Sequence, residues 1–371
     1  MTAAAGHPPL ALLYGTRPQV IKASVLLEAL AADWDVFSVD TGQHYDYALN
    51  AQLYAQLGVR PPRACLDVGS GDHAVQTAHV LTRAAEALAG ETAAGRRPRA
   101  AVVVGDTNST LGSALAAAKL RIPVVHVEAG LRCGDRLMAE EINRRAVDAV
   151  SAVLCPPTAS AEATLHREGA VGQVVCTGDV ARDVLLRTLP QVGRAADTAG
   201  WPLPPDAPFA FATLHRAELV DDPARLTGTL AALGGVGVPV VFAAHPRTRA
   251  ALVARDATPP AGVHLIPALG YVETLAAVRD ALVVVTDSGG VQREAYWLGT
   301  PCVTVRTETE WVETVALGAN HLVAPAEAPD ALAGVVAAQL ARGGAPGGWD
   351  RDALGAGDAA ERVRRALAGL R

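Results

Sequence analysis

The chain has 371 residues, half of them hydrophobic and 19% charged, with a mean hydropathy of +0.21. That is enough apolar material for two cores and too little charge for long disordered tracts. A net charge of −6 and a pI of 5.9 argue against a nucleic-acid binder, which carries a basic surplus, yet leave room for a basic pocket around one small anion.

Short apolar runs alternate with longer amphipathic segments. In the first half, strands are predicted at 10–14, 36–39, 100–104, 124–127, 152–155 and 174–176. In the second half they are predicted at 209–213, 238–243, 263–266, 282–286, 302–305 and 321–323. Helical patterns fill the gaps, among them 19–31, 109–119, 140–149 and 290–298. Continuous apolar strands alternating with helices mean parallel sheets covered on both faces. The Pro-rich stretch 179–208 marks a boundary, and the Gly-rich loop 342–348 precedes a final helix. The expected organisation is an α/β chain of two doubly wound, Rossmann-like domains facing a central cleft. The first spans 1–180, with helix 358–371 packing back on it, and the second spans 181–357.

The five cysteines, Cys65, Cys133, Cys155, Cys176 and Cys302, show no CxxC spacing. They read as free thiols in a reducing compartment, with no zinc site. No apolar run reaches the ~18 residues of a transmembrane helix, and the run before Tyr14 is too short for a signal peptide. A cytoplasmic protein without membrane contact is expected.

In open α/β sheets, ligands bind beyond the carboxyl ends of the strands. The residues there are unusually polar. The first strand is followed by Gly15-Thr16-Arg17-Pro18-Gln19, and the second by Asp40-Thr41-Gly42-Gln43-His44. Next come Gly105-Asp106-Thr107-Asn108 and, around the following strand end, His126 to Arg132. The second half adds His215-Arg216, His245-Pro246-Arg247, Asp287-Ser288-Gly289-Gly290 and Arg306. Ser288-Gly289-Gly290 opens a helix, where glycines let backbone N–H groups approach an anion. It reads equally as a helix capped by Ser288. Glu294, one turn on, could accept hydrogen bonds from ribose hydroxyls. Arg17 could clamp phosphate bidentately, with Lys22 one turn further along. Lysine is scarce: only Lys22 and Lys119 occur among 32 basic residues, and Lys119 reads as a helix C-terminal charge.

Asp106, Glu128 and Glu140 stand out among the carboxylates. Asp106 and Glu128 follow neighbouring strands, so their side chains can converge, although Asp106 also fits an Asx-turn. Glu140 also fits a first-turn acid, a role open equally to Glu141. Clustered carboxylates have split pKa values, which suits acid–base chemistry. His215 and His245 are the better site histidines, while His126 reads as a core histidine. No GxGxxG, metal-ligand spacing or GxSxG elbow is present.

Taken together, GTRPQVIK (15–22), TGQHYD (41–46), VVGDTNST (103–110), HVEAGLR (126–132), AEEINRR (139–145), TGD (177–179), TLHRAE (213–218), AHPR (244–247), TDSGGVQREA (286–295) and TETEWVET (307–314) make the chain resemble the non-hydrolysing UDP-N-acetylglucosamine 2-epimerase family, which has the GT-B fold. The resemblance implies a cofactor-free isomerase, a homodimer whose partner is a UDP-sugar. Asp106, Glu128, Glu140 and His215 would be catalytic. Arg17, Lys22, Gln43, His44, Arg144, Arg216, His245, Ser288, Gly289, Gly290, Glu294 and Arg306 would hold the substrate. It implies interconversion of UDP-GlcNAc and UDP-ManNAc by elimination of UDP and re-addition through 2-acetamidoglucal. Gln19 stands where many members have Glu, and Leu219 where Asn is common. The 292–314 stretch resembles the branch that includes epimerases of UDP-2,3-diacetamido-glucuronate. A hydrolysing epimerase, a GT-B glycosyltransferase and a non-catalytic nucleotide-sugar sensor are the competing readings.

Overall fold

The computed structural model describes residues 6–42, 54, 58–341 and 348–370. The chain divides into two compact units, Met1–Leu186 with Leu354–Arg371, and Arg187–Ala353.

The first unit is built on a parallel sheet of seven strands: β1 (Pro9–Tyr14), β2 (Asp35–Asp40), β3 (Ala64–Cys65), β4 (Ala100–Val104), β5 (Val124–Val127), β6 (Val153–Cys155) and β7 (Gln173–Val174). Their spatial order is β3-β2-β1-β4-β5-β6-β7. The central strands are apolar along their whole length because helices cover both faces. Leu10, Ala11 and Leu12 of β1 and all five residues of β4 are fully buried. One face packs Leu13, Phe37, Val103 and Val124 against Val80, Ala84 and Leu88 of helix His73–Ala93 and Ala114 and Ala117 of helix Asn108–Lys119. The C-terminal helix Ala359–Ala366 packs against helix Arg17–Leu30, and Arg364 pairs with Asp33 there.

The second unit carries six parallel strands: β8 (Ala210–Thr213), β9 (Val240–Ala244), β10 (Val263–Pro267), β11 (Val283–Thr286), β12 (Cys302–Val305) and β13 (Asn320–Val323). Their order is β10-β9-β8-β11-β12-β13. Two clusters fill its opposite faces, one around Leu226, Leu230, Val240 and Val303 and the other around Phe209, Phe211, Val241 and Ala277. Among the described residues, no helix is long and apolar enough to cross a membrane.

The predicted strands are present, those at 100–104, 124–127 and 302–305 with the same bounds and the others with shifted ends. The apolar run at 174–176 forms only the pair Gln173–Val174. The two-residue strand β3, paired to β2 through Val39 and Ala64, is too short to leave a periodic signal. Helix Arg17–Leu30 starts two residues before the predicted 19, because Thr16 already takes the N-cap position. All five cysteines are free thiols, and burial pushes Cys155 and Cys302 up to about 12.

One glycine fixes the turn after β5. Gly130 has φ +78°, and a Cβ there would collide with the Ala161 carbonyl and lie 2.8 Å from the Leu165 side chain. Gly130→Ala is therefore expected to lower stability by about 2–3 kcal/mol, the scale of overpacking added to a disfavoured φ. A urea unfolding curve measures it.

Candidate active site

A doubly wound sheet changes winding direction at one point, and the crevice beyond the strand ends there is where such folds bind ligands. In the first unit that point lies between β1 and β4, and in the second between β8 and β11. The polar strand-end residues gather at these two places.

In the first unit the β1 and β4 ends are locked together by Gln19. Its Oε1 accepts from the Gly15 and Thr16 N–H groups at 2.9 and 3.1 Å. Its Nε2 donates to the Val104 carbonyl at 2.7 Å and to Thr110 Oγ1 at 2.8 Å. An ionised glutamate could not donate to Val104, so the amide at this position gains a bond across the sheet.

Next to this lock, Lys22 Nζ lies 2.6 and 2.7 Å from the two oxygens of Glu128. Glu128 sits in the left-handed region at φ +71°, costing roughly 1–3 kcal/mol for a residue with a Cβ. The conformation is held because the Glu128 and Ala129 N–H groups both donate to the Cys155 carbonyl, and it turns the carboxylate toward the β4 end. Glu128 Oε2 would lie 3.3 Å from a Cβ at Gly105, the residue before Asp106. Asp106 in turn pairs with Arg144 at 2.5 Å, and its carbonyl accepts from Asn143 Nδ2 at 2.8 Å. Thr107, not Asp106, caps the following helix, which leaves the Asp106 carboxylate to Arg144. Asp106, Glu128, Lys22 and Arg144 thus form one cluster. Glu140 lies one turn before Arg144 on the same helix face and is half-buried.

Beneath it runs a buried network. His126 Nδ1 meets Asp148 Oδ1 at 2.6 Å, and Nε2 meets the Gly105 carbonyl at 2.9 Å. Asp148 also takes Arg132 at 2.8 Å and the Gly130 N–H at 3.1 Å. Burial opposes charge on Asp148, yet His126 and Arg132 together hold its carboxyl below the ordinary range. The core role read for His126 is what the structure has. Glu141 is fully buried and binds Arg145 at 2.8 Å, Arg144 at 3.3 Å and the Cys133 N–H at 3.1 Å. The adjacent acids thus part: Glu141 is committed to internal bonds, and Glu140 is the one with solvent access.

In the second unit, helix Gly289–Leu298 starts at the β11 end with Ser288 as N-cap, its Oγ accepting from the Val291 N–H at 3.4 Å. Helix geometry leaves the first N–H groups, those of Gly289 and Gly290, without an intrahelical acceptor. Both glycines are half-buried rather than sealed, so capping and anion binding are compatible here. Asp287 is fully buried, and its Oδ2 accepts from the His215 and Arg216 N–H groups, each at 2.7 Å. Arg216 Nε also donates to the Asp287 carbonyl at 3.0 Å. His215 and His245 stand side by side, ring centroids 5.4 Å apart. Both line a cavity of about 190 Å³ that also touches Thr213, Leu269, Thr274 and Ser288. Glu294 is half-buried and Arg17 exposed. Arg306 is buried and makes a bidentate pair with Glu310 at 2.8 and 3.0 Å. Gln43 and His44 lie outside the described residues.

Sequence reasoning passed over Gln19, Asn143 and Asp287 as site-shaping residues. Asp287 carried a visible signal, an acid directly after an apolar strand and before Ser-Gly-Gly. Gln19 and Asn143 carried none, since an amide within a helix pattern does not announce a partner far along the chain.

The contrast between the adjacent acids is measurable. Glu141→Gln leaves buried arginine charge short of a partner and is expected to cost about 3 kcal/mol. Glu140→Gln is expected to stay within about 0.5 kcal/mol of the parent, as at most partly exposed positions. Urea midpoints for the two variants test both values.

The family model described as UDP-N-acetylglucosamine 2-epimerase matches residues 28–368. The UDP-2,3-diacetamido-2,3-dideoxy-D-glucuronate 2-epimerase of Pseudomonas aeruginosa is 40% identical over 326 residues, covering 85% of this chain and 88% of that protein. The UDP-N-acetylglucosamine 2-epimerase of Methanocaldococcus jannaschii is 36% identical, covering 85% of this chain and 88% of its own. A crystal structure of the M. jannaschii UDP-GlcNAc 2-epimerase in complex with UDP-GlcNAc and UDP superposes with a TM-score of 0.83 at 33% identity, covering 97% of this chain and 99% of that one. With both units doubly wound and matched in this way, the fold is of the GT-B type, and the chain belongs to the UDP-N-acetylglucosamine 2-epimerase family.

Proposed function

We propose that this protein is a non-hydrolysing epimerase that inverts C2 of a UDP-linked 2-acetamido sugar, interconverting UDP-GlcNAc and UDP-ManNAc. The observation that carries the reading is the cluster at the first winding reversal: two carboxylates, Asp106 and Glu128, each held by a cation, Arg144 and Lys22. Glu140 stands one turn away on the same helix as Arg144. Inverting a carbon by proton transfer needs one group to remove a proton from one face and another to supply it to the opposite face. Three carboxylates in one neighbourhood meet that demand.

The electrons balance without a redox partner. One carboxylate takes the C2 proton, the C–H electron pair becomes the C1=C2 bond of 2-acetamidoglucal, and the C1–O bond breaks with its pair leaving on UDP. A proton then arrives at the other face of C2 while UDP re-adds at C1. The barrier depends on stabilising the departing diphosphate. Backbone N–H groups at Gly289 and Gly290, with Ser288, His215 and His245 beside them, suit the nucleotide end. In the first unit, Lys22, Arg17 and Arg144 supply the positive charge beside the carboxylates. Glu294 offers acceptors to the ribose, and Arg216 and Arg306 brace the loops around that end. A cytoplasmic homodimer that needs no added cofactor is part of the reading, and sedimentation velocity measures the assembly.

A second reading is favoured by the P. aeruginosa relative, 40% identical: the same elimination on UDP-2,3-diacetamido-2,3-dideoxy-D-glucuronate. Incubating the enzyme with each sugar and following the products by NMR separates the two readings. The same spectra would reveal a hydrolysing enzyme by free ManNAc.

In D2O the removed proton exchanges on its carboxylate before return, so product is expected to carry deuterium at C2. Epimerised product with C2 protium fully retained would overturn the elimination mechanism. Replacing Asp106, Glu128 or Glu140 by its amide is expected to cut turnover at least ~100-fold, the usual size of a general acid–base contribution.

A further inference from the structure

Three neighbouring strand ends, β9, β8 and β11, deliver His245, His215 and Asp287 to one edge of the second sheet. The register accounts for it: Ala212 pairs with Phe242, and Thr213 pairs with Thr286. The chain therefore runs one residue past Thr286 and two past Thr213 to bring Asp287 against His215.

Asp287 has two carboxylate oxygens with different duties. Oδ2 is saturated by two backbone N–H groups, those of His215 and Arg216. Oδ1 is buried and has no hydrogen-bond partner among the described residues; Nδ1 of the His215 ring lies 2.8 Å from it, within reach but off the line of a hydrogen bond. A fully buried carboxylate oxygen demands a donor. A small turn of the ring with its proton on Nδ1 would meet that demand and leave the second nitrogen, Nε2, for other partners. The His215 side chain is 37% exposed and lines the same cavity as Ser288.

His245 is arranged the other way. Its Nδ1 accepts from the Arg247 N–H at 3.3 Å, so its proton belongs on Nε2. Burial and then the neighbouring His215 push its pKa down. The Asp287 carboxylate stands behind the His215 ring, whose centroid is 5.4 Å from that of His245.

We propose that Asp287 is a positioning residue that holds His215 with its proton on Nδ1 and makes Nε2 of His215, rather than that of His245, the nitrogen that exchanges a proton with the leaving diphosphate. The proposal rests on the epimerase reading for the identity of that anion. When Nε2 takes up a proton, the imidazolium has the opposing charge of Asp287 2.8 Å from its Nδ1. It can then hold the oxygen released from C1 and surrender the proton as that oxygen returns to C1.

Asp287→Asn tests it. The asparagine carbonyl can keep both backbone N–H bonds, while its NH2 turns toward Nδ1 and forces the proton to Nε2. With 15N-histidine labelling, and with His215→Gln used to identify the signal, ligand-free wild type is expected to show His215 protonated on Nδ1. The asparagine variant is expected to show it on Nε2. Turnover of the UDP-sugar should fall at least ~100-fold, the scale of losing the correct tautomer, with KM changed less than about threefold. A wild-type His215 protonated on Nε2 alone overturns the proposal, whether or not the variant folds. So does a variant whose tautomer flips without loss of turnover. A wild type that epimerises neither UDP-sugar while His215 is protonated on Nδ1 sinks the functional reading and leaves the tautomer assignment standing.

Discussion

Parallel pairing is the constraint on which the rest of this protein depends. A parallel strand cannot hairpin back, so each connection crosses over through a helix and all carboxyl ends emerge at one edge of the sheet. Starting a sheet from its middle, at β1 or at β8, forces the winding to reverse, and the two helices flanking the reversal diverge. The loops that follow β1, β4 and β5 and those that follow β9, β8 and β11 have no other place to go. Residues far apart in sequence, such as Lys22 and Glu128 or His215 and Asp287, thereby become neighbours without any local tendency to meet.

Collecting charge at such an edge has an electrostatic consequence. A lone carboxylate with little water around it is costly, and the protein pairs each one. Glu128 has Lys22, Asp106 has Arg144, Asp148 has His126 and Arg132, and Glu141 has Arg144 and Arg145. The pairs differ in depth. Those of Asp148 and Glu141 are sealed and hold the turn around Gly130 and Cys133 in shape. Glu128 is likewise buried, at 7% exposure, and only Asp106 lies at the rim, 30% exposed.

Much of this was legible in the residues. Apolar runs of four or five residues bounded by Gly, Asp or Thr located the long strands. Asp106, Glu128, Lys22 and Arg144 do share one neighbourhood. The harder distinctions concerned partners. Glu140 and Glu141 are both first-turn acids in sequence, and a difference of 100° around the helix sends one to the rim and the other into the core. Asp106 stood out as a site carboxylate that also fitted an Asx-turn, and Thr107 takes the cap instead. Lys22 was expected to await a phosphate, and here it holds Glu128.

By itself the sequence determined which segments become strands and helices, that the strands run parallel, and where the chemistry-bearing side chains leave the sheets, because these follow from local periodicity and from the few residues tolerated at strand ends. It also carried the motifs that identify the family. The tertiary structure alone decided which charges meet. Gln19 donates to a carbonyl 85 positions away, Asp287 receives two N–H groups from positions 71 and 72 residues earlier, and Glu128 is bent into a left-handed turn by the carbonyl of Cys155. Hydrogen bonds and ion pairs act over a few ångströms, and distances on that scale between remote segments exist only once the sheet order has brought the strand ends together.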